Sequence, residues 1–115
     1  MLFLEYPPCS TCQKARKWLE GNGISFESRH IKNENPSYEE LKLWYGRSGL
    51  PLKRFFNTSG LLYKSLGLKD KLGTMTEEEQ LQLLASDGML VKRPLVICDD
   101  RILVGFRENE WENLK

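Results

Sequence analysis

The chain has 115 residues, a formal net charge of +1 and 29% charged residues. So even a charge balance gives no support to a general polyanion-binding role, and no apolar run approaches the ~18 residues that a membrane-spanning helix needs. Three cysteines are an odd and small set. Disulfide-stapled secreted scaffolds carry larger, even sets, and no basic segment or long apolar stretch opens Met1 to Glu5, so the expected compartment is the reducing cytoplasm.

In chain order, Leu2 to Tyr6 reads as a short buried strand ended by Pro7-Pro8. Ser10 and Gln13 have capping-box spacing, which predicts a helix with Ser10 as its N-cap. Ala15, Trp18 and Leu19 recur at helical spacing, and Gly21-Asn22-Gly23 stops the run. Ile24 to Glu27 alternates apolar and polar residues, as a second strand does. Asn33 to Pro36 is a turn, and Ser37 with Glu40 starts a helix carrying Leu41, Trp44 and Tyr45 until Gly46 to Pro51 breaks it. Leu52 to Leu68 predicts short helices interrupted at Asn57-Thr58-Ser59-Gly60. Thr76 and Glu79 open a clear helix that ends before Gly88. Leu95 to Cys98 and Ile102 to Val104 read as a hairpin turning at Asp99-Asp100, and Phe106 to Leu114 as a closing helix. No internal repeat or linker interrupts the chain, so one domain over 1–115 is expected.

The order is strand, helix, strand, a helical insertion over about 37–88, then hairpin and helix. It predicts an α/β, thioredoxin-like fold: a four-stranded mixed sheet with flanking helices and the insertion between strands two and three. Arg93-Pro94 then falls just before the third strand, where that fold carries a cis proline.

Cys9-Ser10-Thr11-Cys12 lies at the predicted strand-to-helix junction. There the partial positive charge of a helix N-terminus favours a thiolate, the state that attacks disulfides. Cys9 is expected to attack and Cys12, inside the first turn, to resolve. Arg16 reads either as added positive charge near the pair or as solvated helix surface. A zinc site needs four ligands, and only His30 and Cys98 remain to complete one, so no metal is expected. Cys98 reads as a small hydrophobe of the core, His30 as a strand-end residue, and the three tryptophans as packing residues. Arg93 is open between two roles: a charge that holds an oxyanion substrate or the thiolate, and a solvated strand-entry residue.

Together, Tyr6 to Leu19, Tyr63-Lys64-Ser65-Leu66-Gly67-Leu68, Arg93-Pro94-Leu95-Val96-Ile97 and Val104-Gly105-Phe106 resemble the ArsC/Spx family. The resemblance runs over essentially the whole chain, in the family's order. It implies a thioredoxin-like core and a cytoplasmic thiol–disulfide oxidoreductase with catalytic Cys9 and Cys12. Arg93 and Pro94 would stabilise substrate or thiolate. No bound cofactor is implied, but an external thiol reductant such as glutathione or thioredoxin is, with a disulfide-containing substrate as partner. The family's arsenate reductases hold their oxyanion with three arginines, and Asn57, Arg93 and Gly105 fall at those positions here. One arginine of three predicts poor arsenate binding. The family's Spx regulators imply the alternative: a redox sensor that binds the C-terminal domain of the RNA polymerase α subunit, touching neither nucleic acid nor membrane. Gly49 stands near the place of a glycine that matters for that contact, and otherwise reads simply as a helix terminator.

Overall fold

The computed structural model describes residues 1–115. Its centre is a four-stranded sheet of β1 (Leu2–Glu5), β2 (Glu27–His30), β3 (Leu95–Ile97) and β4 (Ile102–Val104), in the order β2-β1-β3-β4. β1 runs parallel to β2, with Leu2 opposite Glu27, and antiparallel to β3, with Phe3 opposite Val96. β3 and β4 form the antiparallel hairpin, with Val96 opposite Leu103. The mixed sheet is the one that the order of elements predicts. The helices are α1 (Ser10–Gly21), α2 (Tyr38–Ser48), α3 (Leu61–Ser65), α4 (Leu68–Lys71), α5 (Glu77–Ser86) and α6 (Glu108–Trp111), joined in places by 3-10 turns. No helix is long and apolar enough to cross a membrane.

Successive strand residues point to opposite faces of a sheet, and this divides the core in two. Leu4, Leu95, Ile102 and Val104 face the insertion, where they join Leu41, Trp44, Phe55, Leu81 and Leu84. Phe3 and Val96 face the other way and meet Ala15 and Leu19 of α1 and Trp111 of α6. Helices on both faces cover the apolar sheet.

Three boundaries depart from expectation. The second strand is Glu27–His30, not Ile24–Glu27. Ile24 and Phe26 instead pack beside the Phe3 and Trp111 cluster, and Ile24 closes the end of α1 by donating its N–H to the Leu19 carbonyl at 3.0 Å. With Gly23 left-handed at φ 67°, this is a Schellman ending. Polar Glu-Ser-Arg-His then forms an edge strand, where charge discourages pairing with another chain. α2 does not break at Gly46 but runs on to Ser48 and stops at Gly49, left-handed at φ 69°. The closing helix is shorter than Phe106 to Leu114, with one α turn and one 3-10 turn. The caps at Ser37/Glu40 and Thr76/Glu79 form as predicted, each a reciprocal capping box.

Candidate functional site

The site is built by the turn that follows β1. The Cys9 N–H donates to the Tyr6 carbonyl at 2.8 Å and closes the Pro7-Pro8 turn. That leaves Cys9 as the last extended residue, at φ −75° and ψ 125°, and its carbonyl receives the Gln13 N–H at 3.0 Å. Cys9 is therefore the N-cap of α1, and Ser10 is its first helical residue. The predicted Ser10/Gln13 capping box does not form. The Gln13 side-chain amide instead reaches back and donates to the Pro7 carbonyl at 2.9 Å.

With sulfur at the N-cap, the unpaired N–H groups of the first turn face a thiol instead of a hydroxyl. The neutral thiol closes no cap hydrogen bond, but the same donors favour its anion. Partial burial pushes the Cys9 pKa up. The N–H of Cys12, the Cys12 thiol, the N–H of Thr11 and the charge of Arg93 outweigh this, so Cys9 lies below its ordinary value. Cys12 is the opposite case. It is 0% exposed. Burial pushes its pKa up to about 12, against a weaker lowering by the Tyr6 N–H, which donates to its sulfur at 3.5 Å.

The charge beside Cys9 comes from Arg93. Its guanidinium carbon lies 5.2 Å from the centre of the Tyr6 ring, and the guanidinium donates to the Met89 carbonyl at 3.2 Å. The edge of His30 meets the same tyrosine at 5.8 Å between ring centres. His30 is held in turn by the N–H groups of Lys32 and Asn33, which donate to its Nδ1 at 3.2 and 3.1 Å. Nothing in the spacing of Tyr6 from Arg93 reveals this stack; only the adjacency of Tyr6 to the cysteine turn hints at a role. Arg16 neither charges the pair nor lies free in solvent, the two roles expected of it. It grips the buried Glu5 carboxylate at 3.2 and 2.6 Å and fixes α1 to β1.

Cys9 opens onto a cleft of about 1090 Å³ whose lining includes Thr11, Asn57, Arg93, Gly105 and Phe106. Asn57, Arg93 and Gly105 thus line the same cleft as Cys9, and of these three only Arg93 is charged. Pro94 follows the cis Arg93–Pro94 bond. It is buried, and its carbonyl accepts the Gly105 N–H at 2.8 Å. Gly49 lies outside the cleft, exposed at the end of α2. Cys98 is half-buried, not enclosed in the core as expected, because it lies just beyond β3 at the hairpin turn. Burial and the nearby Asp100 push its pKa up, so it lacks the activation of Cys9. No three His, Cys, Asp or Glu side chains converge as a metal site would require.

A mixed four-stranded sheet, a cysteine at the N-cap of the first helix and an X-Pro bond entering the third strand define a thioredoxin-like protein. Within that class the chain belongs to the ArsC family, whose model matches residues 4–114. It is 54% identical over 112 residues to the uncharacterised protein YusI of Bacillus subtilis, covering 97% of this chain and 95% of YusI. The regulatory protein MgsR of the same organism is 30% identical over 110 residues, covering 96% of this chain and 86% of MgsR. A crystal structure of an ArsC family related protein from Bacteroides fragilis superposes with a TM-score of 0.97 at 61% identity, covering 99% of this chain and 96% of that one.

Proposed function

We propose that this chain is a cytoplasmic thiol–disulfide oxidoreductase that uses Cys9 as nucleophile and Cys12 as resolving thiol. The opposed environments of the two sulfurs carry this reading: one opens on a cleft with its pKa lowered, the other is enclosed with its pKa raised to about 12. The Cys9 thiolate attacks one sulfur of a substrate disulfide. A Cys9–substrate disulfide forms, and the other substrate sulfur leaves as thiolate. Cys12 then loses its proton and attacks the Cys9 sulfur. That step releases the second substrate thiolate and leaves a Cys9–Cys12 bridge. The protein dithiol has given two electrons to the substrate, and an external dithiol or two monothiols return them. No bound cofactor is needed. Arg93 stabilises the thiolate, and Pro94 orders the chain beside it.

Arsenate is not the substrate we favour. Of Asn57, Arg93 and Gly105 only one supplies a guanidinium, and paired guanidinium contacts carry much of oxyanion binding. A second reading is supported by the similarity to MgsR, a regulatory protein. In it, the Cys9–Cys12 bridge is a switch, and the protein docks on the C-terminal domain of the RNA polymerase α subunit near Gly49.

One set of measurements separates the two readings. The enzyme reading expects turnover of disulfide substrates with a thiol donor. That turnover should be lost in Cys9→Ser and stall as a trapped mixed disulfide in Cys12→Ser. The regulator reading expects no turnover, but tight capture of the polymerase α C-terminal domain that changes between oxidised and reduced protein.

A further inference from the structure

Six cationic side chains, Lys32, Lys53, Arg54, Lys92, Arg93 and Arg107, line the Cys9 cleft, against the single carboxylate of Asp87. That is an excess of five cations in one cleft of a chain whose net charge is +1. The other faces of the molecule must therefore carry a compensating negative excess. Five of the six cleft cations have no carboxylate partner. Only Arg107 has a carboxylate within 4.0 Å, the Glu110 of its own turn at 3.7 Å. Asp87 pairs with none of them; its side chain accepts the Met89 N–H at 2.8 Å.

Size and polarity narrow the ligand. At about 1090 Å³ the cleft stands at the top of the ~300–1,000 Å³ range of small-molecule sites, so one small anion leaves most of it empty. Its lining also includes Leu61, 86% exposed, a large apolar side chain held in water beside the cations. A polynucleotide would suit the charge but brings no sulfur to Cys9, whereas a polypeptide brings charge, apolar side chains and a disulfide together.

We infer that the cleft is the docking groove for an acidic polypeptide segment that carries the disulfide exchanged with Cys9. Its carboxylates lie along the six cations, and an apolar side chain rests on Leu61. The inference rests on the oxidoreductase reading for the exchange step, and on the cleft alone for the preference.

Three length-matched peptides test it, each with one leucine and one cysteine activated as a neutral pyridyl disulfide. The remaining residues are acidic, uncharged or basic. Thiopyridone release gives the second-order rate constant of the reduced protein with each. The acidic peptide is expected to react ~10-fold or more faster than the uncharged one at low salt, within the range that electrostatic steering reaches. The gap should close in ~1 M salt, where screening acts within ~3 Å. Lys53→Glu with Lys92→Glu should erase the ratio, which cancels any change in Cys9 reactivity because both peptides meet the same thiol. Replacing the leucine by serine should slow the acidic peptide.

Equal rates for the three peptides overturn the inference and leave the oxidoreductase reading intact. An acidic preference as large in a single-residue disulfide overturns the polypeptide part in favour of a small-anion site. Should no peptide react, the oxidoreductase reading fails. Anisotropy of cysteine-free peptides, labelled with a neutral dye, then decides the groove alone. Tighter binding of the acidic one upholds it, and equal binding, or displacement by an oligonucleotide at lower concentration than by the peptide, overturns it.

Discussion

Cys9 and Cys12 share a helix turn and differ in what surrounds them. The N-cap position gives Cys9 donors and solvent access; one turn inward, Cys12 has burial that the Tyr6 N–H only partly offsets. Arg93 is the one charged side chain among the groups that lower the Cys9 pKa, so its removal is a direct test. In Arg93→Ala the alkylation midpoint of Cys9 should move to higher pH, because the thiolate loses an attractive charge, and the rate near neutral pH should fall ~3- to 10-fold. Tyr6→Leu should move the midpoint the same way by less, since it removes the ring against which the guanidinium rests. Unchanged midpoints in both variants would leave the helix terminus and the Cys12 thiol responsible. Of this site, the cysteine pair was legible in sequence, because a motif at a junction is local; Arg93 was legible only as a residue open between two roles. Tyr6 and the paired Arg16 were not, because their partners are fixed only when distant elements meet.

At the scale of elements, β2 is tied to the start of α2 by Arg29, which donates to both Glu40 carboxylate oxygens at 2.6 and 2.8 Å. The hydrogen bonds from Arg29, against partial desolvation, hold the Glu40 pKa down at about 2, from an ordinary 4.5. A carboxylate with a lowered folded pKa contributes stability above its unfolded pKa and loses it as pH falls through the folded one. The Glu40 side chain is 36% exposed, so screening leaves the pair ~1 kcal/mol. Denaturation of Arg29→Leu against the parent should show that difference near neutral pH. Its pH-dependent part should shrink from about pH 4.5 and be lost near pH 2, while the separate bonds from Arg29 to the Glu34 and Asn35 carbonyls stay missing throughout.

Gly88 gives a sharper element-scale test. In the sequence it only ends α5. In the structure a Cβ there would collide with the Ile31 carbonyl, so the 3-10 turn after α5 presses on the backbone after β2. Gly88→Ala should cost ~2–4 kcal/mol in chemical denaturation, because backbone must shift. Gly73→Ala meets nothing within 4 Å and should change stability by less than ~1 kcal/mol.

At the scale of the whole molecule, one thin sheet is shared by two apolar layers, and the smaller hangs on Trp111. That residue is 0% exposed, stands edge-on to Phe3, Trp18 and Phe106, and donates its indole N–H to the Gly105 carbonyl at 3.2 Å. Gly105 also lines the Cys9 cleft, so the C-terminal turn braces the site from the rear. Trp111→Ala should cost ~3–5 kcal/mol, as full loss of a buried aromatic does. It should also slow the reaction of Cys9 with disulfides in the protein that stays folded. A stability loss with unaltered Cys9 kinetics would separate the brace from the site.

By itself the sequence determined the order of most elements and singled out Cys9 as the candidate nucleophile. Apolar spacing, capping pairs and glycine stops act within a few residues, and so does the helix terminus that activates Cys9. Tertiary structure alone decided where β2 begins, that Arg16 serves Glu5, and that Lys32, Lys53, Arg54, Lys92 and Arg107 join Arg93 in one cleft. Those outcomes depend on segments far apart in the chain being brought within a few ångströms, and charge or burial at such distances leaves no periodic trace in the order of residues.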